Sequence, residues 1–388
     1  MKYTVLSLLI SIAALLTINY VTYKLVPAKI SAIHRKSKWK YKANSSKNSL
    51  KTEFRIALFS LNSSSATSKN AKLRTSTEAI NTFRCSDNVE LYKRNTHKWE
   101  IVDRNFCSQK YPDLLLLIVA ITATEQREHR NLIRKTWGDV KLYKNFKTAV
   151  LFPLGRTSDL EMMTLIQKEQ QKYGDIIQQD FLDTYKNLTL KFCISTLSTE
   201  IKLNTLMWLQ FLNDFCPNVT YVLKIDADIT FNYFKLVEIL QNRTQTNASH
   251  SFVSKSFSCY IIDRAKVNRY DSKWPISYME YPRKYFPRYC SGSFYLLTGD
   301  LAGPLLEQAR FCTLFWIEDV HVTGHLGMRV QARYEDWSKK IVFKWNQLEQ
   351  LIKAPDVLFT LIYTPWEHIQ LWKWLKNYYG YNNKYEEV

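Results

Sequence analysis

The sequence predicts an α/β fold in which helices flank a mainly parallel, Rossmann-type sheet, preceded by one N-terminal transmembrane helix and a stem. Two observations predict it: short apolar runs alternate with longer helical segments, and an uncharged apolar stretch opens the chain. Short apolar runs between helices are typical of strands buried on both faces of a parallel sheet. Hydrophobic residues make up 46% of the chain and glycines number only 9, which excludes collagen-like and generally disordered classes.

The alternation of strands and helices begins near residue 111. The predicted strands are residues 114–121, 149–152, 175–177 and 221–225, and the predicted helices are 125–137, 160–173, 188–211 and 233–240. Open sheets of this kind bind ligands at the carboxyl ends of their strands. Residues that directly follow these strands are therefore candidates for a functional site.

The N-terminal stretch, residues 5–23, carries no charge and is close to the ~20 residues that cross a bilayer. It is interpreted as a signal anchor, with a cleaved signal peptide and a buried helix as alternatives. A buried helix is disfavoured at the end of the chain beside a basic run. The basic run, residues 24–42, would by the positive-inside rule alone place the body of the chain in the cytosol.

Two other patterns favour a lumenal body. Six Asn-x-Ser/Thr sites are possible glycosylation acceptors: Asn44, Asn62, Asn187, Asn218, Asn242 and Asn247. The chain has seven cysteines and no Cys-x-x-Cys pair, so disulfides in an oxidising lumen are the simpler interpretation and buried reduced thiols the alternative. Cys85 and Cys107 are candidates for a bridge at the end of the stem. The predicted organisation is a tail (1–4), an anchor (5–23), a lumenal stem (24–110) and a folded domain (111–388).

The net charge of +19 has two interpretations. A strongly basic protein can bind nucleic acid, or it can lie near anionic membranes and handle anionic ligands. Because the run at 24–42 directly follows the apolar stretch, it is predicted to be a solvated juxtamembrane segment. No nucleic-acid partner is therefore expected.

An acid pair follows the predicted strand 221–225. Asp226 and Asp228 are spaced i, i+2, so on an extended chain both carboxylates point the same way. Two oxygen ligands leave room for a hard divalent cation that also takes phosphate oxygens. The alternative is a surface loop that happens to carry two acids.

A second acidic site, Glu318 and Asp319, follows the apolar residues 315–317. Acids beside bulky apolar side chains are candidates for a partly desolvated general base. They also suit a helix N-terminus, where the macrodipole favours negative charge, and both interpretations can hold at once.

Glycine and arginine positions add two further candidates. Gly292 is predicted to lie in a turn before a strand, where it would let the backbone approach a ligand, with a plain hairpin as the alternative. Arg130 and Arg134 follow the first strand and could pair with phosphate. The alternative for this segment is a solvated basic helix.

Five motifs resemble, in order, those of the β-1,3-galactosyltransferase/β-1,3-N-acetylglucosaminyltransferase family (glycosyltransferase family 31). They are R-x-x-I-R-x-T-W at 130–137, D-F-x-D-x-Y-x-N-L-T-L-K at 180–191, K-x-D-x-D with Asn232 at 224–232, Y-C-x-G with Tyr295 and Asp300 at 289–300, and E-D-V-x-x-x-G at 318–324. The resemblance covers about residues 111–330. One such motif would be weak, whereas five in order are specific.

The resemblance implies a type II Golgi membrane protein with a GT-A fold. It implies an inverting transfer of a hexose or N-acetylhexosamine from a UDP-sugar to the 3-hydroxyl of a glycan on a glycoprotein or glycolipid. It also implies roles for individual residues: Asp228 and Asp226 for Mn²⁺ and the donor, Arg130, Arg134 and Lys224 for the donor side, Gly292 and Glu318 for the pocket, and Asp319 as the base.

The sequence departs from the family's pattern at three points. Ala227 replaces the middle acid of D-D-D, and Phe294 replaces a glycine, where it is expected to crowd the pocket. The family's late metal-binding histidine has no clear counterpart, since His368 is expected at the surface. These departures motivate an alternative, a catalytically weak or inactive glycan-binding or chaperone-like member of the fold. The donor sugar, the acceptor and the oligomeric state stay open.

Overall fold

The computed structural model describes residues 97–139, 147–182, 194–246, 254–270, 275–342, 353–354 and 356–381. All of them belong to one compact unit, Thr77–Val388. The predicted anchor and most of the predicted stem lie outside the described residues. Within the described ranges, no helix combines the length and the apolar character needed to cross a bilayer.

Eleven strands are present in the described part of the chain. They are β1 (Trp99–Ile101), β2 (Leu116–Ile121), β3 (Thr148–Arg156), β4 (Ile176–Leu182), β5 (Tyr221–Asp226), β6 (Ile229–Phe231), β7 (Ser256–Ile262), β8 (Tyr289–Thr298), β9 (Arg333–Asp336), β10 (Ile341–Val342) and β11 (Phe359–Leu361). The large sheet has the order β1-β4-β3-β2-β5-β8-β7-β9, and a small sheet has the order β10-β11-β6. Strands β4, β3, β2 and β5 run parallel, while β8 pairs antiparallel with β5 and β7.

The helices connect these strands. They are α1 (Arg127–Arg134), α2 (Leu160–Tyr173), α3 (Ile194–Phe215), α4 (Tyr233–Thr246), α5 (Ala302–Ala309), α6 (Gly327–Arg329) and α7 (Pro365–Tyr378), with π-helical segments Phe106–Lys110 and Val320–Leu326. The predicted α/β fold is thus confirmed. Helix α2 has the predicted bounds, because Asp159 caps its first turn and Gly174, with φ of 65°, ends it.

The core covers both faces of the sheet. Successive residues of β2 alternate between two clusters, with Ile118 in one and Leu117 and Val119 in the other. Trp137 belongs to the first cluster and Trp208 of α3 to the second, and both are fully buried. This explains why β2 reads as an uninterrupted apolar run in the sequence.

The folded domain begins earlier than residue 111. Strand β1 pairs with β4, and Phe106 is only 1% exposed, so residues 97–110 belong to the fold and not to the stem. Cys107 forms its disulfide with Cys216 at the end of α3, with Cα atoms 5.2 Å apart, instead of closing the stem with Cys85. A few spaced apolar side chains anchor residues 97–110 to the core. Because polar residues separate them, the sequence shows no continuous apolar run there.

Candidate functional site

The acid pair lies at the carboxyl edge of the large sheet. Asp226 is the last residue of β5 and is paired in register with Ile121 at the end of β2. Ala227 and Asp228 form the turn into β6, so the pair does not lie on an extended chain as the sequence predicted. The carbonyl of Asp228 accepts a hydrogen bond from Ile362 N at 2.9 Å, which ties this turn to the residue after β11.

The carboxylate of Asp226 is held by a lysine on its own strand. Lys224 Nζ donates to Asp226 Oδ1 at 2.6 Å, and the side chain of Asp226 stays 40% exposed while that of Lys224 is 5% exposed. Burial raises the pKa of Asp226, the charge of Lys224 opposes the rise, and the negative charge of Asp228 adds to it. The negative charges of the two carboxylates therefore repel each other.

This repulsion is what a divalent cation between Asp226 and Asp228 would relieve, so the pair fits such an ion. No cluster of three or more His, Cys, Asp or Glu that could hold a metal occurs in the described ranges. A cation bound here would take its remaining oxygen ligands from phosphates and water, as Mg²⁺-like ions do in nucleotide sites.

The carboxylate of Asp319 is partly buried beside Gly292. Its Oδ2 accepts from Gly292 N at 2.9 Å, and its Oδ1 accepts from Val320 N at 2.8 Å at the start of the π-helical segment. Burial, and then the charge of Glu318, raise the pKa of Asp319 to about 7, against the opposing effect of these N–H groups and of Lys224. A carboxyl with a pKa near neutrality is suited to general-base chemistry.

Lys224 connects the two carboxylates. Besides its bond to Asp226, its ammonium donates to the carbonyl oxygen of Gly292, whose own N–H donates to Asp319. The N–H and the carbonyl of Gly292 therefore link Lys224, on the acid-pair side, to Asp319. The structure brings Asp226, Lys224, Gly292 and Asp319 into one contiguous constellation.

Gly292 lies within strand β8, not in the predicted turn. A Cβ atom added there would come within 3.2 Å of Asp319 Oδ2 and 3.4 Å of its Cβ. The absence of a side chain is what lets the backbone N–H reach the carboxylate.

Substituting this glycine is expected to disturb Asp319 directly. We expect G292A to lower kcat by about tenfold, because a shift of the carboxylate misplaces it relative to the substrate. The control is G303A, where the added Cβ meets only the movable side-chain oxygen of Asn213, at 2.9 Å. Equal kcat values for both variants in steady-state assays would contradict this role of Gly292.

Glu318 is hydrogen-bonded to interior residues. It is 9% exposed and accepts hydrogen bonds from the hydroxyl of Tyr295 at 2.7 Å and from Thr205 Oγ1 at 3.2 Å. Both hydroxyl donors belong to buried residues, so Glu318 connects the site to the core of the domain. Its negative charge contributes to the raised pKa of Asp319.

The guanidinium groups of Arg130 and Arg134 face α2 instead of the acid pair. Arg130 is fully buried, binds Glu169 through two hydrogen bonds of 2.8 Å and donates to the carbonyl of Ala123 at 2.7 Å. Arg134 donates to Glu169 and Asp175, each at 2.7 Å. Arg130 therefore joins α1 to α2 and to the loop after β2, and Arg134 joins α1 to α2 and to Asp175 before β4. The solvated-helix alternative does not describe either arginine.

Two of the sequence's departures have structural explanations that the sequence did not predict. Phe294 does not crowd the pocket: its ring stacks on Phe359 of β11 at a centroid distance of 3.7 Å, inside the core. His368 is not at the surface: it is 1% exposed and its Nε2 lies 3.0 Å from Thr136 Oγ1. Burial lowers the pKa of His368 to about 3, which keeps it neutral.

Thr323 was not singled out by sequence. Its hydroxyl donates to the carbonyl of Asp319 at 2.6 Å and accepts from Cys290 N at 2.9 Å, which fastens the π-helical segment to β8. The disulfide between Cys259 and Cys290 ties the same strand to β7. A threonine four residues after a helix-capping aspartate is a recognisable signal of such back-bonding.

Two of the six glycosylation acceptors lie in the described residues. Asn218, in the turn before β5, and Asn242, on α4, are both exposed. The other four, Asn44, Asn62, Asn187 and Asn247, lie outside the described residues. Cys312 is also disulfide-bonded, which adds to the oxidised cysteines of the domain.

Sequence comparisons place the chain in a family. Residues 128–337, more than half of the chain, match the profile of the family described as Galactosyltransferase. The chain belongs to this family, and so to the glycosyltransferases.

Several characterised relatives are similar over much of this region. UDP-GalNAc:beta-1,3-N-acetylgalactosaminyltransferase 1 of Mus spicilegus is 35% identical over 233 residues, covering 59% of this chain and 64% of that protein. Beta-1,3-galactosyltransferase 5 of Homo sapiens is 31% identical over 254 residues, 65% of this chain and 74% of that protein. Beta-1,3-galactosyltransferase 1 of Mus musculus is 32% identical over 238 residues, covering 61% of this chain and 67% of that protein. The match thus spans less than two thirds of the first relative.

Proposed function

We propose that this protein transfers a hexose or N-acetylhexosamine from a UDP-sugar to the 3-hydroxyl of an acceptor glycan, with inversion and formation of a β-1,3 linkage. The names of the relatives support the β-1,3 linkage and, for one of them, a UDP-sugar donor. The observation that carries the proposal is Asp319, a partly buried carboxylate of pKa about 7, linked through Gly292 and Lys224 to Asp226.

Asp319 is the proposed general base. It takes the proton from the acceptor 3-hydroxyl as that oxygen attacks the anomeric carbon, and the bond from this carbon to the diphosphate oxygen breaks on the opposite face. One displacement of this kind inverts the anomeric configuration. General-base assistance is typically worth about 10²–10⁴-fold in rate.

Asp226 and Asp228 are the proposed holders of Mn²⁺ on the donor side. When bound, the ion would neutralise charge that develops on the departing diphosphate. Lys224 keeps the carboxylate of Asp226 in place and adds a positive charge between the two halves of the site. Arg130 acts indirectly, by holding the loop that leaves β2 beside Asp226, and Arg134 by holding Glu169, the partner of Arg130.

The proposed location is the Golgi membrane, with residues 5–23 as a type II anchor and the folded domain in the lumen. The uncharged N-terminal run supports the anchor. Bridged cysteines, among them Cys107 with Cys216 and Cys259 with Cys290, support an oxidising compartment.

The test is a donor screen of the purified protein. UDP-galactose, UDP-N-acetylglucosamine and UDP-N-acetylgalactosamine are each incubated with neutral and acidic oligosaccharides, with and without Mn²⁺. We expect Mn²⁺-dependent consumption of one donor. Glycan binding without any donor turnover would support the inactive-member alternative. The replacement of an acid by Ala227 favours that alternative, whereas Phe294, which lies in the core, does not.

The activity is also expected to depend on pH. Because the base works only when deprotonated, kcat/KM should fall tenfold per pH unit below about pH 7, where Asp319 gains its proton. Above that pH, activity should reach a plateau. A profile flat between pH 5 and 8, values chosen to bracket a pKa of about 7, would contradict the assignment of Asp319.

A further inference from the structure

A short two-stranded ribbon projects between β7 and β8. Its backbone hydrogen bonds join Phe286 N to Ala265 O at 2.9 Å and Val267 N to Lys284 O at 3.0 Å. Lys266 and Tyr285 lie directly opposite each other in this pairing. We call residues 264–267 and 283–286 the β7–β8 ribbon.

The inner face of the β7–β8 ribbon is anchored beside Asp319. Val267 and Phe286 are 2% and 8% exposed and pack in a small core with Phe315 and Val320. The rings of Phe286 and Phe315 have centroids 6.0 Å apart. Because Val320 directly follows Asp319, the ribbon is attached to the segment that carries the proposed base.

The outer face of the ribbon combines an aromatic ring with cations. Tyr285 is 38% exposed, with the guanidinium carbon of Arg264 at 5.6 Å and Lys284 Nζ at 5.3 Å from its ring centroid. Lys266, opposite Tyr285, is exposed as well. Positive charge is therefore concentrated around one sugar-sized aromatic surface.

The acids near this face are engaged elsewhere. Of the described residues between β7 and β8, the two acids are Asp263 and Glu280. Asp263 pairs with Arg288 at 2.9 Å, and Glu280 accepts hydrogen bonds from Ser277. Asp263 also feels the charge of Arg264 without forming a salt bridge with it, and Lys266 and Lys284 have no ion pair with an acid of the described part of this region.

We propose that the outer face of the β7–β8 ribbon binds an acidic sugar of the acceptor glycan, one that carries a carboxylate or a sulfate. The cations attract the anionic group, and the ring of Tyr285 offers an apolar face for the sugar ring. The inner face of the ribbon packs with Val320, so the ribbon is attached to the segment that carries the proposed base, which serves the acceptor. The inference rests on the proposed function, since it names the acceptor class of the same site.

The test compares two triple variants of the full chain that remove equal charge. R264Q/K266Q/K284Q alters the ribbon, while K135Q/K168Q/K172Q removes three exposed lysines, one directly after α1 and two on α2. Binding of a fluorescent chondroitin 6-sulfate hexasaccharide and of neutral chitohexaose is measured by anisotropy. We expect the ribbon variant to bind the sulfated probe about tenfold more weakly and the control variant to bind it unchanged, with chitohexaose binding unaffected in both.

Unchanged binding in the ribbon variant, or equal losses in both variants, would overturn the proposal. K266E is a second variant, with a single substitution. The ribbon triple variant and K266E must both keep the wild-type midpoint of thermal unfolding. Loss of binding to phosphatidylserine vesicles without loss of the sulfated probe would assign the face to a lipid surface instead. The donor screen, run on the same proteins, separates the two proposals: if the wild type consumes no UDP-sugar in the presence of any acceptor, the transferase is refuted, whatever the ribbon binds.

Discussion

Asp319→Asn is expected to lower kcat for transfer by about 10²–10⁴-fold. The amide cannot accept the proton of the acceptor hydroxyl. It also leaves one of the two backbone donors, Gly292 N or Val320 N, without its oxygen acceptor. The affinity for UDP should change little, because Asp319 lies on the acceptor side of the proposed site. The measurement is steady-state transfer at a pH above 7, combined with UDP binding by calorimetry.

Asp300→Asn is the matched control for this substitution. Asp300 also accepts a backbone N–H, that of Lys255, at 3.1 and 3.0 Å, but it lies beyond the opposite end of β8. The same acid-to-amide change there should leave kcat unaltered. Full activity of Asp319→Asn, or an equal loss in the Asp300 variant, would refute the assignment of the base.

Glu169→Gln is expected to destabilise the domain by about 3–5 kcal/mol. Glu169 is 1% exposed and accepts hydrogen bonds from Arg130 and Arg134. Burial alone would raise the pKa of Glu169, but the hydrogen bonds and charges of the arginines lower it, so the carboxylate is ionised at neutral pH. Removing its charge leaves the fully buried guanidinium of Arg130 without a counter-ion. Thermal unfolding should report a midpoint lower by at least about 6 °C.

The control is an ion pair of the same length at the surface. Lys147 Nζ lies 2.7 Å from Asp113 Oδ2, with side chains 53% and 83% exposed. Lys147→Gln should cost less than about 1 kcal/mol, because water solvates the charges that remain. Similar shifts of the unfolding midpoint in the two variants would show that the buried Arg130–Glu169 ion pair contributes no more to stability than an exposed one.

The sequence predicted the sheet well where its signal is local. The uninterrupted apolar run of β2, the acid pair at and just after the end of β5, and the bounds of α2 each depend on a few consecutive residues. The same holds for the placement of Asp319 at the start of a helical segment, where neighbouring residues decide the backbone geometry.

Contacts between distant residues were beyond the reach of the sequence. From the sequence, Arg130 is a candidate to bind the phosphates of the sugar donor. In the structure its guanidinium is hydrogen-bonded to Glu169, 39 residues later. From the sequence, Phe294 is expected to crowd the pocket. In the structure its ring stacks on Phe359. The link from Lys224 to Gly292 spans 68 residues and depends on the register of β5 and β8. Such pairings follow from packing, which composition and spacing do not encode.

The most direct measurement is calorimetric titration of UDP, with and without Mn²⁺, into wild type, Asp228→Asn and Asp319→Asn. If the acid pair holds the cation and the diphosphate while a separate aspartate serves the acceptor, Asp228→Asn loses the Mn²⁺-dependent gain in UDP affinity. Asp319→Asn keeps it. A wild-type UDP affinity that does not respond to Mn²⁺, or a gain that survives in Asp228→Asn, would contradict the division of labour proposed for this site.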